Sequence, residues 1–233
     1  MSTEIKLHKI QSDILCRLLF KQQAKFAELS NGELTNDHFT FHIKKLLELG
    51  MISKNASGAY ELTSRGKEFA NRFDTELKQF EKQAKLGVLV TCVRNETGVD
   101  EYLVQKRLKQ PFYGFYGFMS GKIGQGEMVA ETAARELEEE AGLKAELTLV
   151  GVKHKMDYSK SHQLLEDKFF FVFRGENCAG KLVEKFEGGE NIWMTEEKIL
   201  SLDNLFDGVD ETLKLVKGEE LRFVEVKYLV EGF

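Results

Sequence analysis

The sequence predicts a small α+β domain followed by an α/β sandwich, and three observations carry that prediction. The 233 residues are long for one domain of either kind and suit two. Charge is uneven: residues 1–80 hold 12 of the 33 Lys and Arg and 10 of the 38 Asp and Glu, a net of +2. The other 21 and 28 give residues 81–233 a net of −7, a contrast that suits two domains with different partners. Finally, the front of the chain reads helix, helix, helix, hairpin, helix, whereas strands surround one strongly periodic helix from Gly87 onward. The predicted domains are therefore 1–80 and 87–233. The linker at 81–86 is where a polar helix gives way to the apolar run Gly87-Val88-Leu89-Val90.

In the front domain, His8 to Phe20 carries a helical stripe of Ile10, Ile14, Leu15, Leu18 and Leu19. Phe26 to Leu29 is a short second helix, and Ser30-Asn31-Gly32 breaks it. Thr35 or Asn36 caps a third helix that runs to about Leu49, with Phe39, Ile43, Leu46 and Leu47 facing inward and Gly50 ending it. Two strands, 51–54 and 59–63, flank the turn residues Asn55-Ala56-Ser57-Gly58. Ser64 caps a last helix of about fifteen residues. His38 and His42 stand i, i+4 on the third helix. With no third ligand nearby in sequence, they read as polar surface histidines before a metal pair.

In the rear domain, Gly87 to Arg94 and Glu101 to Arg107 form a hairpin around Asn95-Glu96-Thr97-Gly98. Pro111 to Phe118 packs five aromatics into eight residues. They suit either core packing or a stacking surface for a base, and Tyr113 and Tyr116 form the expected exposed pair. Met128 to Ala141 has no Pro or Gly and is rich in helix formers. On that helix Glu136, Glu139 and Glu140 share one face, while Val129, Ala133 and Leu137 face inward. Gly142 can end it in a left-handed cap. Lys168 to Arg174 reads as a strand buried on both faces. Thr195 to Lys217 reads as helical, and Leu221 to Val230 as an extra strand that pairs with the sheet or with another subunit.

Three carboxylates within about one helical turn repel one another. A cation relieves that repulsion, and hard oxygen ligands select Mg²⁺ or Mn²⁺. Such a site can polarise a phosphoryl oxygen and activate water against a diphosphate. The bland alternative is a solvated acidic face, the usual meaning of a glutamate run. Gly121, Glu127, Arg135, Glu136, Leu137, Glu139, Glu140, Gly142 and Leu143 stand at fixed offsets, G-x5-E-x7-R-E-U-x-E-E-x-G-U with U apolar.

That pattern resembles the Nudix box, the hallmark of Nudix (MutT-type) hydrolases. The resemblance implies an α/β/α sandwich with a mixed sheet, and Mg²⁺ or Mn²⁺ held by Glu136, Glu139 and Glu140. It adds the Ser120 carbonyl as a further metal ligand and an ion pair of Glu127 with Arg135 that holds the loop to the helix. Glu139 and Arg135 count among the catalytic residues. Another glutamate, from the loop 184–193, serves as ligand or general base: Glu187 by its distance from Trp193, then Glu190, then Glu184. Tyr113, Tyr116 and Arg107 are the candidate substrate-binding residues. Phe118-Met119-Ser120 departs from the Pro and Gly of many relatives ahead of the box.

The front domain is similar to winged helix-turn-helix domains, through Phe39 to Ile52 and the run Tyr60-Glu61-Leu62-Thr63-Ser64-Arg65-Gly66-Lys67. For DNA binding, the resemblance puts the third helix in the major groove and offers Asn36, His38, Thr40, Lys44 and Lys45, with Lys54 in the wing. A net of +2 is small for a domain that must neutralise several phosphates, so protein contact or dimerisation stays open. The expected activity is hydrolysis of a nucleoside diphosphate derivative such as ADP-ribose or a nucleotide sugar. The alternative is a transcription regulator whose rear domain senses such a metabolite.

Cys16, Cys92 and Cys178 share no metal-ligand spacing and suit a reducing compartment. The start of the chain lacks the features of a signal peptide, and no apolar run has the length of a membrane helix. A cytoplasmic homodimer with no membrane partner is the expectation.

Overall fold

The structure is a computed structural model that describes residues 7–30, 35–74, 79–80, 82–96 and 98–230. Asn31 and Gly32 of the expected break, Glu81 of the linker and Thr97 of the hairpin turn lie outside the described residues. The chain divides into two compact units, Met1–Lys82 and Gln83–Phe233.

In the first unit, α1 (Lys9–Leu19), α2 (Phe26–Leu29) and α3 (Asn36–Glu48) precede the antiparallel hairpin β1 (Ile52–Lys54) and β2 (Tyr60–Leu62). The unit continues with α4 (Ser64–Ala70) and the short pair β3 (Phe73–Asp74) and β4 (Gln79–Phe80). Thr35 Oγ1 accepts from the His38 amide and caps α3. Leu15, Leu29, Phe39, Ile43, Leu46 and Met51 close the core.

Three expectations are corrected here. Thr63, not Ser64, caps α4, its hydroxyl accepting from the Gly66 amide at 3.0 Å. That helix has seven residues, not about fifteen, because the chain turns into β3. His42 is not a surface residue: it is 3% exposed, and its ring stacks on His8, the cap of α1, at 4.6 Å. The inward stripe of α3 therefore takes in the position one turn before Leu46.

The second unit is an α/β/α sandwich. Its strands and helices run β5 (Lys85–Arg94), β6 (Glu101–Arg107), β7 (Tyr116–Gly117), β8 (Met119–Lys122), α5 (Val129–Ala141), β9 (Leu143–Tyr158) and β10 (Leu164–Gly180). After them come β11 (Lys185–Phe186), β12 (Gly189–Thr195), α6 (Glu196–Leu200), α7 (Val209–Lys217) and β13 (Arg222–Leu229). The sheet order is β11-β12-β6-β5-β10-β9-β13, with β7 on β6 and β8 on β5. The pairs β5–β10 and β9–β13 are parallel and the others antiparallel, so the sheet is mixed. The last strand thus joins the sheet, which the sequence left undecided.

Alternation along β5 sends Val88, Val90 and Cys92 to one face, where Ala133, Leu137 and Ala141 of α5 pack. On the other face Val104, Val172 and Met194 meet Ile199 of α6 and Leu213 and Val216 of α7. One edge of β5 is shared: β8 pairs with Gly87–Val90 and β6 with Val93–Arg94, while β10 follows the opposite edge. The sheet therefore forks between β8 and β6. Phe169, Phe170 and Phe171 are only half-buried, against the expectation of a strand buried on both faces. Phe170 lines an open cavity, and Phe169 stacks on His154 at 3.9 Å.

Candidate active site

Helix α5 carries the carboxylates. It ends at Gly142, whose φ of 67° is the left-handed cap the sequence predicts and whose amide donates to the Glu138 carbonyl. Glu136 leans against β8 at Gly121. A Cβ at Gly121 would stand 2.0 Å from Glu136 Cδ and 2.4 Å from Oε1, so the glycine makes room for this carboxylate. Burial holds the Glu136 carboxyl above its usual range, against the pull of the Arg135 guanidinium beside it.

Arg135 gathers three glutamates. Its Nε and Nη2 donate to the two carboxylate oxygens of Glu127 at 2.7 and 3.2 Å, and Nη1 donates to Glu136 at 2.9 Å and Glu139 at 3.0 Å. Glu127 also accepts from the Gly124 amide at 2.9 Å, which ties the loop between β8 and α5 to the helix. The Arg135 hydrogen bonds, then the Gly124 amide, pull the Glu127 carboxyl down to about 2. A depressed carboxylate stabilises the fold above its unfolded pKa and stops doing so as pH falls through the folded value. Amide protection in residues 124–127, taken relative to the intrinsic exchange rate at each pH, is therefore expected to fall only as pH falls from about 4.5 toward 2. Protection that is already lost at pH 5 would contradict this.

Glu140 is held by groups the motif does not contain. Gln105 of β6 donates to Glu140 Oε2 at 2.9 Å. Asn191 of β12, 2% exposed, donates to the carbonyls of Glu140 at 2.7 Å and Val183 at 2.8 Å. Asn191→Ala removes both part-buried hydrogen bonds and is expected to cost about 1–3 kcal/mol of stability in denaturant unfolding. An unchanged midpoint would remove this role. The one sequence signal for Asn191 is a polar residue among apolar ones on a strand.

A cavity of about 690 Å³ opens beside these residues. Glu136 and Glu140 of α5, Ser120 and Gly121 of β8, and Gln105 and Arg107 of β6 line it, yet so do Gly208, Val209 and Thr212 at the start of α7. Helices α5 and α7 pack on opposite faces of the sheet. The fork between β8 and β6 is what lets both reach one cavity. Lys85, Lys153, Lys155 and Lys168 stand on the wall with Asp157, Glu166 and Asp207.

The expected residues fall into two groups. Glu136, Glu140, Ser120 and Arg107 are on the cavity wall. Arg107 donates to the carbonyls of Pro111 at 2.6 Å and Gln110 at 3.1 Å, and burial lowers its pKa. Glu139 is exposed and turned to Arg135, off the wall. Glu187 sits on the exposed turn between β11 and β12, also off the wall, and Glu190 pairs with Lys185 at 2.8 Å. Neither ring of the expected aromatic pair is on the cavity wall. Tyr113 is exposed away from the cavity, and Tyr116 is half-buried in β7 with Lys106 over its ring. The rings on the wall are Phe112, Phe118, Phe170 and Phe206. Phe112 takes a φ of 64°, costly for a bulky residue, and is held between Phe115 and Phe206.

Among the described residues no three His, Cys, Asp or Glu side chains already stand in a metal-binding cluster. The donor set still fits a hard cation. Glu136 is a partly desolvated carboxylate beside Glu140, and Glu139 follows on the same helical face. In the first unit, Asn36, His38, Lys44, Lys45 and Lys54 are exposed and Thr40 is half-exposed.

Residues 84–216, more than half the chain, match the NUDIX domain family. The chain is similar to the mutator MutT protein of Bacillus halodurans, with 18% identity and a TM-score of 0.52 over 64% of this chain and 93% of that one. It is also similar to the NUDIX domain of Shewanella oneidensis NrtR, solved with ADP ribose, with 16% identity and a TM-score of 0.49 over 67% of this chain and 96% of that one.

Proposed function

This chain belongs to the Nudix family of pyrophosphohydrolases, and we propose that its second unit hydrolyses the diphosphate linkage of a nucleoside diphosphate derivative. The observation that carries this is the shared cavity, where box carboxylates, a half-buried arginine and phenylalanine rings face one space large enough for such a ligand. Glu136, Glu139 and Glu140 would hold Mg²⁺ or Mn²⁺, with the Ser120 carbonyl beside them. The bound cation would polarise the phosphoryl oxygen and acidify the attacking water. Arg135 and Glu127 fix the loop, Gln105 orients Glu140, and Arg107 supplies positive charge to the phosphates. Glu187 stands off the cavity, so a box carboxylate is the better place for the proton released by water. Phe112 and Phe206 give a base or sugar an apolar surface.

The test is a panel of ADP-ribose, NADH, diadenosine polyphosphates, nucleotide sugars and nucleoside triphosphates with Mg²⁺ or Mn²⁺. Turnover of one compound class that vanishes in Glu139→Gln supports the reading. No turnover across the panel sinks it.

A second reading, that the chain is a metabolite-sensing transcription regulator, has its own observation in the first unit. There α3 and the β1–β2 hairpin present Asn36, His38, Lys44, Lys45 and Lys54 to solvent, in the element order of a winged helix. Two-fold DNA sites would then need a homodimer. A mobility-shift assay on the DNA beside its own gene, with and without ADP-ribose, decides. Absence of a shift in both conditions ends this reading.

A further inference from the structure

The cavity has a second charged end that diphosphate chemistry does not call for. Strand register places Lys85 beside Lys168 and Lys168 beside Lys155, three lysines abreast on β5, β10 and β9. All three line the cavity, as does Lys153, two residues back along β9 and beside Phe170. Like charges directly opposite one another oppose sheet pairing, so this row runs against the fold's own interest.

The neighbouring carboxylates do not balance it. Glu166 pairs with both Lys85 and Lys168, and Asp157 with Lys155 at 3.2 Å. Lys153, buried, donates to the Gly208 carbonyl and meets Thr212 Oγ1 at 3.4 Å, with Glu211 no closer than 4.0 Å. Around the whole cavity stand seven cations (Lys85, Arg107, Lys109, Lys122, Lys153, Lys155 and Lys168) and five carboxylates. Two of the five, Glu136 and Glu140, are committed to a metal ion in the proposed reaction. Arg107 is likewise committed to the diphosphate, which leaves Asp157, Glu166 and Asp207 against six lysines. Burial pushes Lys153 and Lys168 down to about 8, and at Lys168 the neighbouring Lys85 and Lys155 add to the push.

The two ends are also far apart. Ser120 pairs with Leu89, and Lys85 lies four residues back on the same strand, about 13 Å away at about 3.3 Å per residue. A single diphosphate does not span that length.

We propose that the row Lys85, Lys168 and Lys155, with Lys153, is a second anion site that binds a phosphomonoester. The substrate would then be a nucleoside diphosphate derivative with a further phosphate remote from the bond that breaks. The inference rests on the hydrolase reading for its substrate class, and on the lysine row for the extra phosphate.

Two pairs of probes differ by one phosphate alone: NADPH against NADH, and coenzyme A against its dephospho form. Binding is measured by calorimetry on Glu136→Gln, so that no turnover is required, and kcat/KM on the wild-type chain. The phosphorylated member of at least one pair is expected to bind at least about tenfold more tightly. Lys168→Met and Lys155→Met should erase that ratio and leave the other member within about twofold. Lys168→Arg should keep it. Lys85→Met, at a side chain 59% exposed, should weaken the ratio without a folding defect. No preference in either pair, or a preference that survives both methionine variants, overturns the proposal. A preference in binding with no hydrolysis of any probe supports the site and counts against the hydrolase reading. Hydrolysis without a preference does the reverse.

Discussion

Glu136→Gln and Glu140→Gln are each expected to lower kcat/KM by about 10³-fold or more while the fold survives. Both side chains line the cavity, and each acts through a charge that an amide cannot supply. The fold is expected to tolerate the first change because burial already penalises the Glu136 carboxylate, so a neutral group of the same shape removes that cost as it loses the Arg135 contact. The contrast is Glu187→Gln, which should change kcat/KM by no more than about threefold, since that residue stands on an exposed turn. The measurement is steady-state kinetics at saturating Mg²⁺, with thermal unfolding in parallel. Retention of a tenth of the activity in Glu136→Gln would contradict the assignment, as would a collapse of activity in Glu187→Gln.

Gly121→Ala should lose about 10²-fold in kcat/KM with little loss of folded protein. The added methyl would overlap Glu136 at 2.0 Å from Cδ and 2.1 Å from Cγ. A glutamate side chain can swing away, so the backbone need not move, but the carboxylate leaves its place on the cavity wall. A displacement of about 1 Å at such a group is enough for a loss of this size. The double variant Gly121→Ala with Glu136→Gln should be no worse than Glu136→Gln alone, because both act on one carboxylate. Additive losses would show that the glycine matters for some other reason, such as the path of β8.

Much of this site can be read from the sequence because it is local. Helical spacing alone puts Glu136, Glu139 and Glu140 on one face, and the same count places Gly142 at the cap. The hairpin of β5 and β6 and the cap at Thr35 follow from short-range chemistry too. What escaped depends on pairings between distant segments. Alternation shows that Lys153, Lys155 and Asp157 share a face, but only the register against β10 brings Lys168 beside Lys155. Gln105 and Asn191 matter because β6 and β12 run beside the end of α5, which no spacing rule reveals. The sequence singles out Tyr113 and Tyr116 as the exposed pair, and of the two only Tyr113 is exposed. The fold instead turns Phe112 and Phe118 to the cavity, through a backbone twist at Phe112 that its residue type gives no reason to expect. The burial of His42 is hidden from the sequence in the same way, since it depends on His8, the cap of another helix.

The fork in β5 also bears on the order in which the second unit can assemble. Strand β8 meets β5 across some thirty residues of chain, with α5 following at once, whereas Lys168 meets Lys85 across more than eighty and β13 reaches β9 across about seventy. Short loops close sooner than long ones, and parallel pairings that wait on distant chain are slow. Pulse-labelled refolding should therefore protect the β9–β10 hairpin, β8 and α5 before β13 and the β5–β10 pairing. The lysine row would then be completed late, when Lys85 of β5 meets the hairpin that already carries Lys155 and Lys168.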